Sequence, residues 1–106
     1  MTTTYVPVPL TEKQWTQQVT ELAKAMGWKC YHTWLSIRSE RGFPDLTLCR
    51  PGRLVFIELK TDAKTSKTTA KQDEWLAALR EAGAEAYVFR PRDWDALVAT
   101  LQGRAE

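Results

Sequence analysis

At 106 residues the chain has room for one domain with a modest core, to which five Trp, three Tyr and three Phe supply much of the apolar area. No run approaches the roughly 20 apolar residues of a membrane span, and residues 1–5 show neither a basic nor an apolar leader region, so a cytoplasmic chain without a secretory signal is expected. The net charge of +2 hides a skew: residues 36–71 hold eight Lys/Arg against four Asp/Glu while the remainder is acidic, which suits a polyanion such as nucleic acid or is an ordinary solvated surface.

Residues 1–10, with Pro7 and Pro9, read as an extended arm, either disordered or docked on a partner subunit. Thr11 is a good N-cap for a helix over 12–26 that stops at Gly27. Its apolar stripe, Trp15, Val19, Leu22, Ala23 and Met26, spans about a 100° arc. Glu12 falls inside that arc and Glu21 on the opposite, polar face. An acid on a buried stripe either interacts with the helix dipole or reaches into a site as a metal ligand. A strand over 28–34 follows, carrying His32, the chain's one histidine. His32 is either a structural residue or one that touches a phosphate or orients a neighbouring ligand. Cys30 and Cys49 show no metal-type spacing and read as buried free thiols.

In the loop over 36–41, Arg38 and Arg41 are placed to clamp phosphate oxygens or simply to solubilise the surface. Gly42 and Pro44 then punctuate a turn into a second strand, with Asp45 as its first polar side chain. A short turn at 51–53 leads to a third strand over 54–60, apolar without a break from Leu54 to Ile57. On a strand, side chains two apart share a face. Glu58 and Lys60 therefore emerge together, with Val55, Ile57 and Leu59 on the other side. Asp45 and Glu58 are nearly equidistant from the hairpin turn, so two carboxylates and a lysine converge. Ion pairing alone would offset part of the cost of desolvating such charges. Hard divalent cations, Mg²⁺ or Mn²⁺, suit these oxygen ligands and relieve the repulsion between the carboxylates.

Residues 61–71 are polar, with Lys64, Lys67 and Lys71, and read as a mobile loop beside the site whose charge suits the DNA backbone. Thr68 or Thr69 caps a second helix over 70–82, with Trp75, Leu76 and Leu79 facing the core. Gln72, one turn before Trp75 and Leu76, is either solvated or hydrogen-bonded to Lys60 or an attacking water. A fourth strand over 85–90 ends at Pro91, and its spacing from the second helix fits a crossover onto the hairpin sheet. Asp93 caps a last helix with Trp94, Leu97, Val98 and Leu101 along one stripe. There is no internal repeat, Gly-rich phosphate loop, cofactor fingerprint or zinc spacing, so no small-molecule cofactor is expected.

Pro44-Asp45 followed by Glu58-Leu59-Lys60 resembles the PD-(D/E)xK nuclease superfamily. The wider context is Gly42-Phe43-Pro44-Asp45-Leu46, then Ile57-Glu58-Leu59-Lys60-Thr61, then Gln72-Asp73-Glu74-Trp75-Leu76. It is similar to the VRR-NUC (virus-type replication-repair nuclease) group over residues 11–94. The resemblance implies an α/β fold with a restriction-endonuclease-like αβββαβ core: a mixed four-stranded sheet flanked by helices, plus a short C-terminal helix. The domain is expected over 11–102, between the arm at 1–10 and a tail at 103–106.

The activity implied is metal-dependent phosphodiester hydrolysis leaving a 5′-phosphate and a 3′-hydroxyl. Asp45, Glu58, the Leu59 carbonyl and an acid of the first helix would hold the metal. That acid is assigned to Glu12, with Glu21 as the fallback. Lys60 would position water or stabilise developing negative charge, and the resemblance favours a site role for Gln72. His32, Arg38, Arg41, Lys64, Lys67 and Lys71 are the expected DNA contacts. Stand-alone members look like Holliday junction resolvases acting as homodimers, which implies four-way junction DNA, a C₂ dimer and a phage, prophage or bacterial origin. Exposed aromatics such as Tyr5, Trp34 or Trp94 would either form the dimer patch or complete the core. The rivals are a flap, nick or other branched-DNA nuclease with the same residues, and an inactive nucleic-acid-binding module.

Overall fold

Four extended segments pair side by side into one sheet in the order β1-β2-β3-β4. The computed structural model describes residues 9–34 and 38–103. Its elements run α1 (Glu12–Ala25), β1 (Lys29–His32), β2 (Leu46–Arg50), β3 (Arg53–Leu59), α2 (Ala70–Glu81) and β4 (Glu85–Phe89). After a 3₁₀ turn at Pro91–Asp93 comes α3 (Trp94–Gln102). β1, β2 and β3 are antiparallel neighbours, while β4 returns parallel to β3 after the α2 crossover. The sheet is therefore mixed, in the αβββαβ order expected. Among the described residues no helix is long and apolar enough to cross a membrane.

The hairpin register decides the geometry of the site. Arg50 pairs with Arg53 and Leu46 with Ile57. One step further from the turn, Asp45 stands opposite Glu58. Asp45 itself lies just outside β2, which begins at Leu46. One face of the sheet packs Leu46, Leu48, Val55, Ile57 and Leu59 against Trp15, Val19 and Ala23 of α1 and Leu97 and Leu101 of α3. Two indoles fasten this layer. Trp15 Nε1–H donates to the Phe89 carbonyl and Trp28 Nε1–H to the Leu101 carbonyl, each at 3.1 Å. The opposite face meets α2 through edge-to-face rings, Phe43 with Phe56 and with Trp75.

Both long helices start as their sequences dictate. Thr11 with Gln14, and Thr69 with Gln72, form reciprocal capping boxes. Several local expectations need correction. β1 is shorter than 28–34, because Trp28 turns into the core as the strand begins. Cys49 is exposed and Cys30 only half-buried, so the pair are not both core thiols. Asp93 does not cap α3 with its side chain: its Oδ2 accepts from the Arg90 N–H at 2.8 Å, closing the preceding turn instead.

The lysine-rich segment is folded into its own turns. Ser66 Oγ accepts from the Thr61 N–H and the Ala63 carbonyl from the Ser66 N–H. Arg90 and Arg92 tie its start through the Thr61 carbonyl and the Asp62 carboxylate. Lys71 belongs to α2 rather than to that loop.

Candidate active site

Glu58 is the centre of the site. It is 1 % exposed, on a strand whose neighbours bury it on both sides. Gln72 Nε2–H donates to its Oε1 at 3.0 Å, and Lys60 Nζ lies 3.9 Å from the same oxygen. No hydrogen bond of acceptable geometry reaches its Oε2. Burial pushes the Glu58 carboxyl up to about 9. The neighbouring Asp45 carboxylate adds to this, Lys60 opposes it, and Glu12 contributes a further small repulsion. At neutral pH the bare site therefore keeps a proton on Glu58.

Asp45 is oriented by β3: its Oδ2 accepts from the Leu59 N–H at 2.8 Å. Its own carbonyl accepts from the Thr33 N–H, also at 2.8 Å, so β1 braces it from the other side. Glu12, on the first turn of α1, opens onto a groove of about 590 Å³ that is also lined by Asp45, Leu59, His32, Trp34 and Lys13. Glu12 thus shares the groove with Asp45, although Glu12 is exposed rather than part of the buried stripe. Glu21 stays on the exposed side of α1, where Gln17 Nε2–H bonds it at 3.1 Å. Among the described residues no group of three or more His, Cys, Asp or Glu side chains is placed to hold a metal ion. The donor set is nevertheless all oxygen, and it contains one buried carboxylate oxygen without a partner. Both features fit a hard cation.

Gln72 departs from expectation in its partner. It bonds neither Lys60 nor a point in open solvent, but Glu58. The helix cap dictates this. Gln72 Oε1 accepts from the Thr69 N–H at 2.9 Å, which leaves the amide's NH₂ group to face the carboxyl. Gly42 is a residue that sequence reasoning passed over as mere punctuation. Its φ is +91°, and a Cβ placed there would lie 2.5–2.8 Å from backbone atoms of Lys71 and Gln72. That close approach seats the start of α2 against the turn leading to Asp45. Its position just before Pro44-Asp45 was the available signal, while its positive φ is seen only in the fold.

The VRR-NUC domain family model matches residues 3–93. The chain belongs to this family. Its nuclease character comes with the membership, and the match spans Glu12, Asp45, Glu58, Lys60 and Gln72. A solved VRR-NUC domain is 26 % identical, with a TM-score of 0.68, covering 83 % of this chain and 94 % of the other. A second VRR-NUC domain protein is 24 % identical with a TM-score of 0.70, over 90 % and 88 % of the two chains. The Holliday junction resolvase Hjc of the archaeal hyperthermophile Archaeoglobus fulgidus shares the fold, with 23 % identity and a TM-score of 0.59 over 76 % and 69 %. No curated protein matches the chain by sequence. The VRR-NUC architecture is the restriction-endonuclease-like one.

The predicted DNA contacts scatter around this VRR-NUC site. His32 lines the groove. Arg41 and Lys71 meet at a separate cleft of about 280 Å³ beside Trp75, where Lys71 pairs with Glu74 at 3.4 Å. Lys64 and Lys67 are exposed on the folded turn after β3, and Arg38 is exposed in the connection to Asp45. Two of the eight basic residues of 36–71 are structural. Arg50 and Arg53 lie over the Trp28 ring, and Arg53 pairs with Glu85, at the hairpin end farthest from the carboxylates. Tyr5 lies outside the described residues.

Proposed function

We propose that this VRR-NUC chain is a divalent-metal-dependent structure-selective DNA endonuclease, and that it resolves four-way junctions as a homodimer. The observation that carries the chemistry is the buried Glu58 flanked by Asp45, Lys60 and Gln72. A buried acid beside a second acid, with one oxygen lacking a hydrogen-bond partner, is held neutral in the bare site and suits a cation that would favour its ionised form. Asp45, Glu58, the Leu59 carbonyl and Glu12 would hold Mg²⁺ or Mn²⁺, which when bound polarises the scissile phosphate and lowers the pKa of water.

The remaining chemistry belongs to the chain. Lys60, buried and 3.9 Å from Glu58, would place one positive charge beside the phosphoryl oxygens that bear the developing negative charge, or align the water. Gln72 fixes the Glu58 carboxylate by donating to Oε1. Asp45 is held by the Leu59 N–H, so its carboxylate does not have to find its orientation when substrate arrives. The junction and dimer parts of the proposal draw on the shared fold with the archaeal resolvase and on the need for two sites in two paired cuts.

The test is cleavage of labelled four-way junction, flap, nicked, single-stranded and duplex DNA with Mg²⁺ or Mn²⁺, beside Glu58→Ala and Lys60→Ala proteins. Paired symmetric cuts in the junction, lost in both variants, are expected. Cutting confined to flaps or nicks would keep the chemistry and remove the resolvase assignment. Salt-sensitive binding without cutting would leave a DNA-binding module.

A further inference from the structure

Trp34 is 77 % exposed. A single exposed aromatic needs no special explanation, but the position of this one does. Trp34 lines the groove that Asp45 and Glu12 share. The backbone beneath it is anchored to the site: the Thr33 N–H donates to the Asp45 carbonyl and the Thr33 hydroxyl to the Pro44 carbonyl, both at 2.8 Å. The His32 ring sits 5.1 Å from the indole, tilted by 55°, so it backs Trp34 without covering it.

The charges nearby make the ring more informative. Glu12 and Asp45 line the groove, Glu58 acts on the same site, and Lys13 is the one lysine in the lining. Apart from a bound cation, the chain's own charges therefore attract phosphate only weakly at this rim. An aromatic face holds a nucleobase regardless of local charge and with little sequence preference. The groove's volume of about 590 Å³ falls within the ~300–1,000 Å³ usual for organic ligands, and so has room for a nucleoside.

We infer that Trp34, backed by His32, is a stacking shelf for an unpaired nucleobase next to the scissile phosphate. The inference rests on the nuclease reading and narrows its substrate to DNA with a base free to leave the stack. In intact duplex each base face is already covered by its neighbours and is costly to expose. Flaps and gaps carry such a base, a branch point interrupts the stack so that a base there is less costly to free, and uninterrupted duplex does neither.

The test compares binding of the full chain to a gapped duplex and to an uninterrupted duplex of equal length, by fluorescence anisotropy. Ca²⁺ serves as the hard cation, and DNA integrity is checked on a gel. Trp34→Ala is expected to weaken binding of the gapped DNA by about 5- to 150-fold and to change duplex binding less than twofold. Trp34→Phe is expected to retain most of the affinity. A 2-aminopurine at the gap should be quenched by the wild type and not by Trp34→Ala.

Equal losses on both DNAs, or none on either, would overturn the shelf. So would a wild-type dimer that becomes monomeric in Trp34→Ala by light scattering while 2-aminopurine is unaffected, because Trp34 would then contact a second copy. Failure of the wild type to cut with either Mg²⁺ or Mn²⁺ would sink the nuclease reading alone, and the binding comparison would still decide the shelf.

Discussion

Glu58 is an acid that its surroundings keep protonated, with its carboxyl pushed up to about 9 by burial first and by Asp45 second. In the unfolded chain the same group titrates near 4.5. Between those values folded Glu58 binds more protons than the unfolded group, so its contribution to metal-free stability is expected to fall as pH rises through that window and level off above it. Thermal unfolding in chelator at pH 6 and pH 9 measures this slope. Glu58→Gln should flatten it, and Mg²⁺ or Mn²⁺ should reduce it in the wild type, since a cation favours the ionised form. For the same reason metal uptake near pH 7 should release close to one proton, readable by calorimetry in buffers of different ionisation enthalpy.

Gln72 offers a second test at this scale. Glutamate would serve the capping box equally well, but it would put a carboxylate where Glu58 now receives an N–H. Gln72→Glu should therefore leave stability within about 1 kcal/mol and reduce cleavage by about 10- to 100-fold, as changes to groups that orient ligands do. A loss of stability that matches the loss of activity would reduce Gln72 to a capping residue.

At the scale of elements, the contact between Gly42 and the start of α2 sets the distance from Gln72 to Glu58. Gly42→Ala would require both a positive φ and displacement of the Lys71–Gln72 backbone. A destabilisation of about 2–4 kcal/mol is expected, read from the urea midpoint. Gly83→Ala is the control: its φ is +89°, but nothing lies within 4 Å of the added methyl. It should cost only about 1–2 kcal/mol.

The same contact shows how far the sequence could be read. Helix starts at Thr11 and Thr69, the hairpin that sets Asp45 across from Glu58, and the crossover to β4 all follow from local caps, turns and periodicity. The partner of Gln72 does not, because it depends on how α2 is seated by a glycine 30 residues earlier. Glu12 illustrates the same limit. Its angular position on α1 is legible, but its exposure at the groove is set by tertiary packing. The cap expected from Asp93 failed for a related reason: a nearer backbone donor, the Arg90 N–H, takes the carboxylate.

Over the whole molecule, charge is divided between the two ends of the β2–β3 hairpin. At the turn end Arg53 bonds Glu85 and the Thr100 carbonyl, and Arg50 bonds the Met26 carbonyl, so both guanidinium groups join the sheet to the helices. Glu85 in turn accepts from the Tyr87 hydroxyl at 2.8 Å, and Arg53 holds the Glu85 carboxyl below its usual range. Lys64 and Lys67 lie beyond the other end, exposed on the turn that follows the Glu58 strand.

A raw count over residues 36–71 treats all these cations as one basic face, whereas the fold assigns them different work. Counterion release separates them, since each phosphate neutralised contributes about 0.9 to the slope of log affinity against log salt concentration. Lys64→Ala and Lys67→Ala should each reduce that slope by close to one while leaving the urea midpoint unchanged. Arg53→Met should leave the slope intact but cost about 1–3 kcal/mol of stability, because it removes the charged partner of Glu85 and the donor to the Thr100 carbonyl. A reduced slope in Arg53→Met, with the fold preserved, would place DNA at the turn end and contradict this division. An unchanged slope in both lysine variants would move the phosphate contacts to the cleft where Arg41 and Lys71 meet.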